Sequence, residues 1–342
     1  MGDVALGVDV GGTKVLGVAL AERGEVLRSR RLPTPRSGGL STQRDPNRRG
    51  SRAAIVEAVR EVVAELIDGL EGSGGVERGG ATTLGVGAPG MIDAEGRVRL
   101  APNLPGVEGA NLAELLNGAL AGSLSSPVVV VNDANCAAVG ELSLGAARGF
   151  EEALIVTLGT GIGGGVVSGG RVRTGVNGFA GEVGHMKVDR SGPPCPCGQR
   201  GCWERFASGD GLGRLAREAA YGGRLASVVE CVGGDPEAVR GEDVTAAAFR
   251  GDAEAIAVVA ELGWWVALGL ANLSAILDPE IIVIGGGLIE AGETLLTPTR
   301  SAFAQLLEGG AIRSLPDIVP ALLGERAGAV GAAIVGRRGS LS

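Results

Sequence analysis

Histidine is nearly absent from this chain: 342 residues contain one, His185. Lysine is almost as scarce. Only Lys14 and Lys187 stand beside abundant arginine, a bias that reads as genome-wide codon preference as much as chemistry, so single arginines carry little weight. Aromatic residues make up 3% of the chain. Surplus positive charge is missing too. A net charge of −8 argues against a phosphate-backbone partner, which needs a basic face, so no nucleic acid partner is expected. No charged leader or cleavage site precedes the first apolar stretch, "VALGVDV", and the expected location is cytoplasmic. The five cysteines are not spread as a disulfide framework, and three of them cluster, which suits a reducing compartment. One long uncharged run exists, "LGWWVALGLANLSAIL" from Leu262 to Leu277. It is short for a bilayer crossing and is interrupted by Asn272 and Ser274, so a buried helix at a domain core or subunit interface is expected, and no membrane partner.

What is present is glycine, 62 residues of it, in a chain 45% hydrophobic and long enough for two domains. "VALGVDVGGTKVLGVALAERGEVLRSRRL" reads as a β-hairpin followed by a third strand. The arginine-rich stretch from Thr34 to Arg52 reads as a long surface loop, and "AAIVEAVREVVAELIDGL" after it as an amphipathic helix. "ATTLGVGAPGMID" is a strand with a tight turn, and "SPVVVVNDANCAAVGEL" a strand running into a helix. After Glu151 the opening layout recurs in "ALIVTLGTGIGGGVVSGGRV": apolar strand, glycine turn, second strand. That echo predicts two related lobes, each offering a hairpin to a shared cleft. "PEIIVIGGGLIEAGE" is a buried strand delivering glycines before a helix, and "AGAVGAAIVGRRG" a small-residue helix able to pack back on the first lobe.

Several motifs carry chemistry. "DVGGTK" from Asp9 to Lys14 sits in a hairpin turn, not between a strand and a helix, which excludes the Walker A layout. Its glycines let backbone approach a phosphate, with Thr13 and Lys14 as further donors. "TLGTGIGGG" from Thr157 to Gly165 offers a second such hairpin. In "VNDAN", Asp133 opens a helix, either as its N-cap or as a general base for an attacking hydroxyl. His185, Cys195, Cys197 and Cys202 form H-x9-C-x-C-x4-C, a Cys3His set suited to a closed, structural, tetrahedral Zn2+ site. Such a site would clamp Glu182 and Glu204, whose carboxylates suit a polyol.

"DVGGTK", "GAPG", "APNLPG", "VNDAN", "TLGTGIGGG", "GEVGH", "CPCGQRGCWE" and "IIVIGGG", in this order from about residue 4 to 336, resemble the ROK family of repressors and sugar kinases, its bacterial ATP-dependent glucokinases above all. The resemblance implies a two-lobed actin/hexokinase/Hsp70-like (ribonuclease H-like) α/β fold with an inter-lobe active-site cleft. A small lobe of residues 1–131 plus 326–342 and a large lobe of 132–325 holding the zinc loop are expected. It further implies ATP-dependent phosphorylation of a hexose 6-hydroxyl, glucose first of all, with Asp133 as base. Gly87, Gly90, Asn103, Asn132, Glu182, His185 and Glu204 would form the sugar pocket, His185 giving one nitrogen to zinc and turning the other toward the sugar. Gly11, Gly12, Thr13 and Lys14 with Gly159, Thr160 and Gly161 would contact phosphates, Gly285, Gly286 and Gly287 the adenosine, and Asp9 would orient Mg2+ through water. The chain departs from the pattern at Val107, where many relatives carry tryptophan, and in the length of its arginine-rich loop.

Rival readings are a sugar-responsive repressor, disfavoured by acidity and by the first phosphate motif beginning at Asp9; a silent sugar sensor, disfavoured by the intact Asp9, Asp133 and hairpins; and a kinase for mannose, N-acetylglucosamine, N-acetylmannosamine or an amino-glucose. A homodimer or homotetramer is expected from the apolar helix near Trp264 and Trp265.

Overall fold

The computed structural model describes residues 4–35, 48–71, 82–102, 104, 106–309 and 312–341. The chain divides into two compact units, one of Met1–Glu151, Gly165–Gly181 and Ala321–Ser342, the other of Glu152–Gly164 and Glu182–Pro320.

In the first unit the expected hairpin and third strand are β1 (Val4–Val10), β2 (Lys14–Leu20) and β3 (Val26–Pro33), paired antiparallel in succession. α1 (Arg48–Glu71) and β4 (Thr82–Ala88) follow, then the short β5 (Met91–Ile92) and β6 (Val98–Leu100), α2 (Leu112–Ala119), β7 (Val129–Asn132) and α3 (Asp133–Leu144). β4 runs parallel to β1 and β7 parallel to β4, giving the order β3-β2-β1-β4-β7. β3 closes the edge with "VLRSRRLP", largely exposed, and its arginines blunt an edge that would otherwise pair with other chains. α1 lays Ile55, Val59, Val62, Val63, Leu66 and Leu70 into the core at helical spacing. The expected loop from Thr34 to Arg52 therefore ends sooner: the helix already begins at Arg48, because nothing in "RRGSR" forbids helix once the apolar face behind it is anchored. Residues 36–47 of that loop lie outside the described residues.

The sheet's other side is covered by α3 and α10 (Ala327–Arg338), the small-residue helix expected to pack back. Close approach is the reason for its composition. A Cβ at Gly7 or Gly85 would strike the backbone of α10, and one at Gly331 of α10 would strike Cys136 of α3. The expected lobe boundary at 131/132 is thereby displaced. α3 belongs with the first unit, which runs on to Glu151, because its small residues and those of α10 bury each other.

In the second sheet β8 (Ala153–Leu158) and β9 (Ile162–Ser168) form the echoed hairpin, with β10 (Arg171–Val172) beside β9; β8 and the start of β9 belong to the second unit, and the residues from Gly165 to Gly181 to the first. After the cysteine-rich loop come α4 (Glu204–Ala207), α5 (Gly209–Tyr221), α6 (Ala226–Cys231), α7 (Gly241–Phe249) and α8 (Ala253–Leu277), then β11 (Ile281–Gly285), α9 (Glu293–Leu306) and β12 (Asp317–Pro320). The sheet order β10-β9-β8-β11-β12 repeats the first one element for element, with β11 parallel to β8 and β12 parallel to β11. A 3-10 turn, Gly287–Ala291, stands between the strand β11 and α9. α8 is long and apolar enough to cross a membrane by length and composition, but 56% of its apolar window is buried inside the protein. Gly263 lets it close on Thr299 of α9, and Gly269 lets it close on the ring of Trp203.

Candidate active site and metal centre

Parallel strands deliver their carboxyl ends side by side, the usual place for a ligand site in an α/β sheet. In the first unit Asp9 of β1 pairs in register with Gly87 of β4, and Ala88 with Asn132 of β7. The backbone thus brings together Asp9, Gly87, Gly90, Asn132, Asp133 and the hairpin Gly11–Lys14. Gly87 is where a side chain would crowd Asp133, since a Cβ there would lie 3.1 Å from Cys136 Sγ and 3.4 Å from Asp133 Cα. Gly90 holds φ +100°, which L side chains rarely adopt. Its carbonyl accepts a 3.0 Å hydrogen bond from Asn132 Nδ2, while Asn132 Oδ1 accepts the N–H of Asn135 at 3.0 Å. Asn132, and not Asp133, is therefore the N-cap of α3. The Asp133 carboxylate accepts the adjacent Ala134 N–H at 2.8 Å and its own N–H, so it is not consumed by capping α3.

Burial raises the Asp133 carboxyl above the ordinary range, against the lowering effect of the backbone N–H groups of Ala134 and of Asp133 itself. Asp9 is pushed up to about 7, by burial first and by the charge of Asp133 second, with Lys14 opposing. Two buried carboxyls whose charges interact are short of positive charge. Lys14 supplies little, since its ammonium donates to Glu325 at 2.7 Å, and Arg31 is paired to the same carboxylate. The donor set fits a divalent cation held by Asp9.

The hairpin turn is closed by Gly11 N–H to the Lys14 carbonyl at 2.8 Å. Thr34, buried at the end of β3, braces it from outside: its hydroxyl donates to the Gly11 carbonyl at 2.6 Å and its N–H to the Thr13 carbonyl at 3.0 Å.

In the second unit the equivalent turn, Gly159–Gly161, is closed by Gly159 N–H to the Gly161 carbonyl at 3.0 Å. Neighbours grip it on several sides. The first turn of α5, capped by Ser208, donates Gly209 N–H to the Gly159 carbonyl at 2.7 Å. Gly286, at φ +86°, lies where any Cβ would meet Leu158 backbone. Glu204 covers Gly161, whose Cβ would lie 2.6 Å from Glu204 Oε2.

Glu204 also touches the metal cluster. The ligand atoms of His185, Cys195, Cys197 and Cys202 all lie within 4.8 Å of one another. Cys195 Sγ is 3.7 Å from His185 Nδ1, and Cys197 Sγ is 3.7 Å from Cys202 Sγ. Zinc–sulfur bonds of about 2.3 Å in a tetrahedron require ligand separations of about 3.8 Å, so the set fits Zn2+. Nδ1 is the nitrogen turned to the sulfurs, and it lies 3.6 Å from Glu204 Oε1; Nε2 faces the other way, 3.8 Å from Glu182 Oε2. Glu204 Oε1 is 2.9 Å from Cys195 Sγ. The loop is anchored by Trp203, fully buried, whose Nε1 donates to the Trp265 carbonyl at 2.7 Å. Phe206 stacks on Trp265 at 4.3 Å between centroids.

The expected residues thus gather as two sets, one in each unit, while Asn103 lies outside the described residues. Thr34, Glu325 and Gly328, whose Cβ would lie 2.8 Å from Asp9 Cγ, escaped sequence reading. Each is distant in sequence from the motifs that carry chemistry, Thr34 in the expected surface loop and Gly328 in the expected packing helix.

A model of the ROK family matches residues 5–338. The chain is 34% identical over 337 residues to a glucokinase of Streptomyces coelicolor, covering 98% of each. It is 32% identical over 343 residues to an N-acetylgalactosamine kinase of a Shewanella strain, covering 96% of each. The crystal structure of a ROK family glucokinase from Streptomyces griseus in complex with glucose and AMPPNP matches with a TM-score of 0.81 at 34% identity, over 98% of this chain and 99% of that one.

Proposed function

Since the chain belongs to the ROK family and has its actin/hexokinase-like fold, we propose that it is an ATP-dependent hexose kinase that phosphorylates the 6-hydroxyl of glucose, with Asp133 as general base. The observation that carries the chemistry is the buried carboxylate of Asp133, relieved of capping by Asn132 and raised above the ordinary carboxylate range by burial. A raised pKa gives the carboxylate a greater proton affinity, which suits a general base. Asp133 takes the proton as the hydroxyl oxygen forms its bond to the γ-phosphorus in line, and the bond from that phosphorus to the ADP oxygen breaks. Gly11, Gly12, Thr13 and Lys14, with Gly159, Thr160 and Gly161, hold the phosphates, and Gly285–Gly287 leave room for the adenosine. Magnesium bound with the nucleotide supplies positive charge to the phosphate oxygens, and Asp9 would hold it. The sugar is bound by Glu182, Glu204, Nε2 of His185, Asn132 and Asn103, with Gly87 and Gly90 leaving it space.

Structural zinc would be held by His185, Cys195, Cys197 and Cys202, and it would fix the loop that carries Glu182 and Glu204. The enzyme works in the cytoplasm as a homodimer or homotetramer, which light scattering on the purified chain checks. The similarity to an N-acetylgalactosamine kinase supports an amino sugar as the second substrate reading.

ADP release with Mg-ATP, measured across hexoses and amino sugars, tests the proposal. Glucose is expected to give the highest kcat/KM. Asp133→Asn is expected to lower kcat roughly 10²–10⁴-fold while glucose still binds. Turnover confined to an amino sugar would move the substrate, and wild-type turnover in Asp133→Asn would remove the base.

A further inference from the structure

One of the chain's two lysines lies in the β1–β2 hairpin; the other, Lys187, follows the cluster histidine by two residues. Lys187 stands opposite Cys202 in an isolated antiparallel bridge. Backbone bonds on either side, Val188 N–H to Gly201 O at 2.9 Å and Trp203 N–H to Met186 O at 2.8 Å, fix that register. Facing residues of such a pair have Cβ atoms about 4.5–5.5 Å apart, within reach of a lysine that folds back. Its Nζ donates to the His185 carbonyl at 2.9 Å and to Cys202 Sγ at 3.2 Å. One ammonium thus bonds the backbone of one ligand residue and the sulfur of another.

Charge gives this contact its purpose. A divalent zinc with three thiolates and a neutral imidazole sums to −1, in a set where Cys195 and Cys202 are buried. The carboxylate of Glu204, 2.9 Å from Cys195 Sγ, adds to the negative surplus, as does Glu182 beside Nε2 at 3.8 Å. Buried surplus charge is costly unless paired and hydrogen-bonded. Among the described residues Lys187 is the cation recorded on a ligand sulfur. We infer that Lys187 is a positioning residue of the metal centre: its ammonium offsets the thiolate charge at Cys202, ties down the His185 segment, and slows the loss of zinc. The inference rests on the zinc reading above. A compact ammonium suits the place, because its three rotatable donors can serve a carbonyl and a sulfur at once, where the rigid guanidinium fork favours a planar partner.

The test begins with zinc content of the purified wild type, measured by elemental mass spectrometry. Zinc transfer to 4-(2-pyridylazo)resorcinol is then followed at fixed pH and ionic strength for wild type, Lys187→Met and Lys187→Arg. The expected result is about one zinc per chain, with Lys187→Met losing it roughly 10–100-fold faster. Lys187→Arg should fall in between, since it keeps the charge. Equal transfer from wild type and Lys187→Met overturns the role of Lys187 and leaves the zinc site standing. A wild type without zinc overturns both. Faster loss that Arg does not rescue, together with a lower melting temperature of the metal-free variant, overturns it in favour of simple packing. Should Lys187→Met aggregate, Lys187→Gln decides the question by the same measurements.

Discussion

Asp9 is a buried carboxyl whose environment departs far from what its type prefers. Its carboxyl is pushed from an ordinary 3.8 to about 7 by burial and by Asp133. The folded chain therefore keeps a proton that the unfolded chain has already lost between those values, so stability falls as pH rises through that window. The full penalty, on the order of a few kcal/mol, is present above the upper value. Asp9→Asn is accordingly expected to melt higher than wild type at pH 8 without added magnesium, with the difference closing near pH 4, while kinase turnover drops. Thermal scans across that range check it, and a pH-independent difference would refute the electrostatic account. Gly161 yields a second expectation at this scale. A methyl there would meet the Glu204 carboxylate, the movable end of a side chain, so Gly161→Ala should fold normally and displace Glu204. The KM for sugar should then rise roughly 10–100-fold, the value of about one hydrogen bond to a charged group.

At the scale of the element, the cysteine-rich loop is held by Trp203 and, on the proposed zinc reading, by a second and independent device, the four ligands. The indole fills the space that Gly269 leaves on α8 and donates its N–H to Trp265. Trp203→Ala would open a cavity and leave the Trp265 carbonyl without that donor. A cost of about 3–5 kcal/mol is expected, read as a lower urea midpoint. An unchanged midpoint would mean that the metal alone organises the loop. The arrangement also explains why Glu204 opens a helix of only four residues. α4 is too short to stand alone, and it is set by Cys202 of the candidate metal site before it and by the docking of α5 on the Gly159 turn after it.

For the whole molecule, the two sheets share one strand order, and all four residues of the candidate metal site belong to the second unit. Stripping zinc with a chelator is therefore expected to lower the melting temperature by roughly 5–10 °C, with little loss of far-UV helix and strand signal beforehand. No shift at all would contradict a structural metal. Local information settled a good deal in advance. Alternation and glycine turns placed both hairpins, the spacing of His185 and the three cysteines placed the metal cluster, and the small residues of "AGAVGAAIVG" foretold a helix under close contact. These features are written within a few residues of each other, where period and spacing act directly. What only tertiary structure decided lies across long separations: that Asn132 caps α3 and frees Asp133, a choice between two residues that cap equally well; that α3 joins the first unit through α10; that Thr34 and Glu325 brace the hairpin; and that Glu204 bridges the metal cluster and the Gly159–Gly161 turn. Each depends on which surfaces pack together and on the burial that shifts a carboxyl or orients a side chain, and no local pattern encodes that.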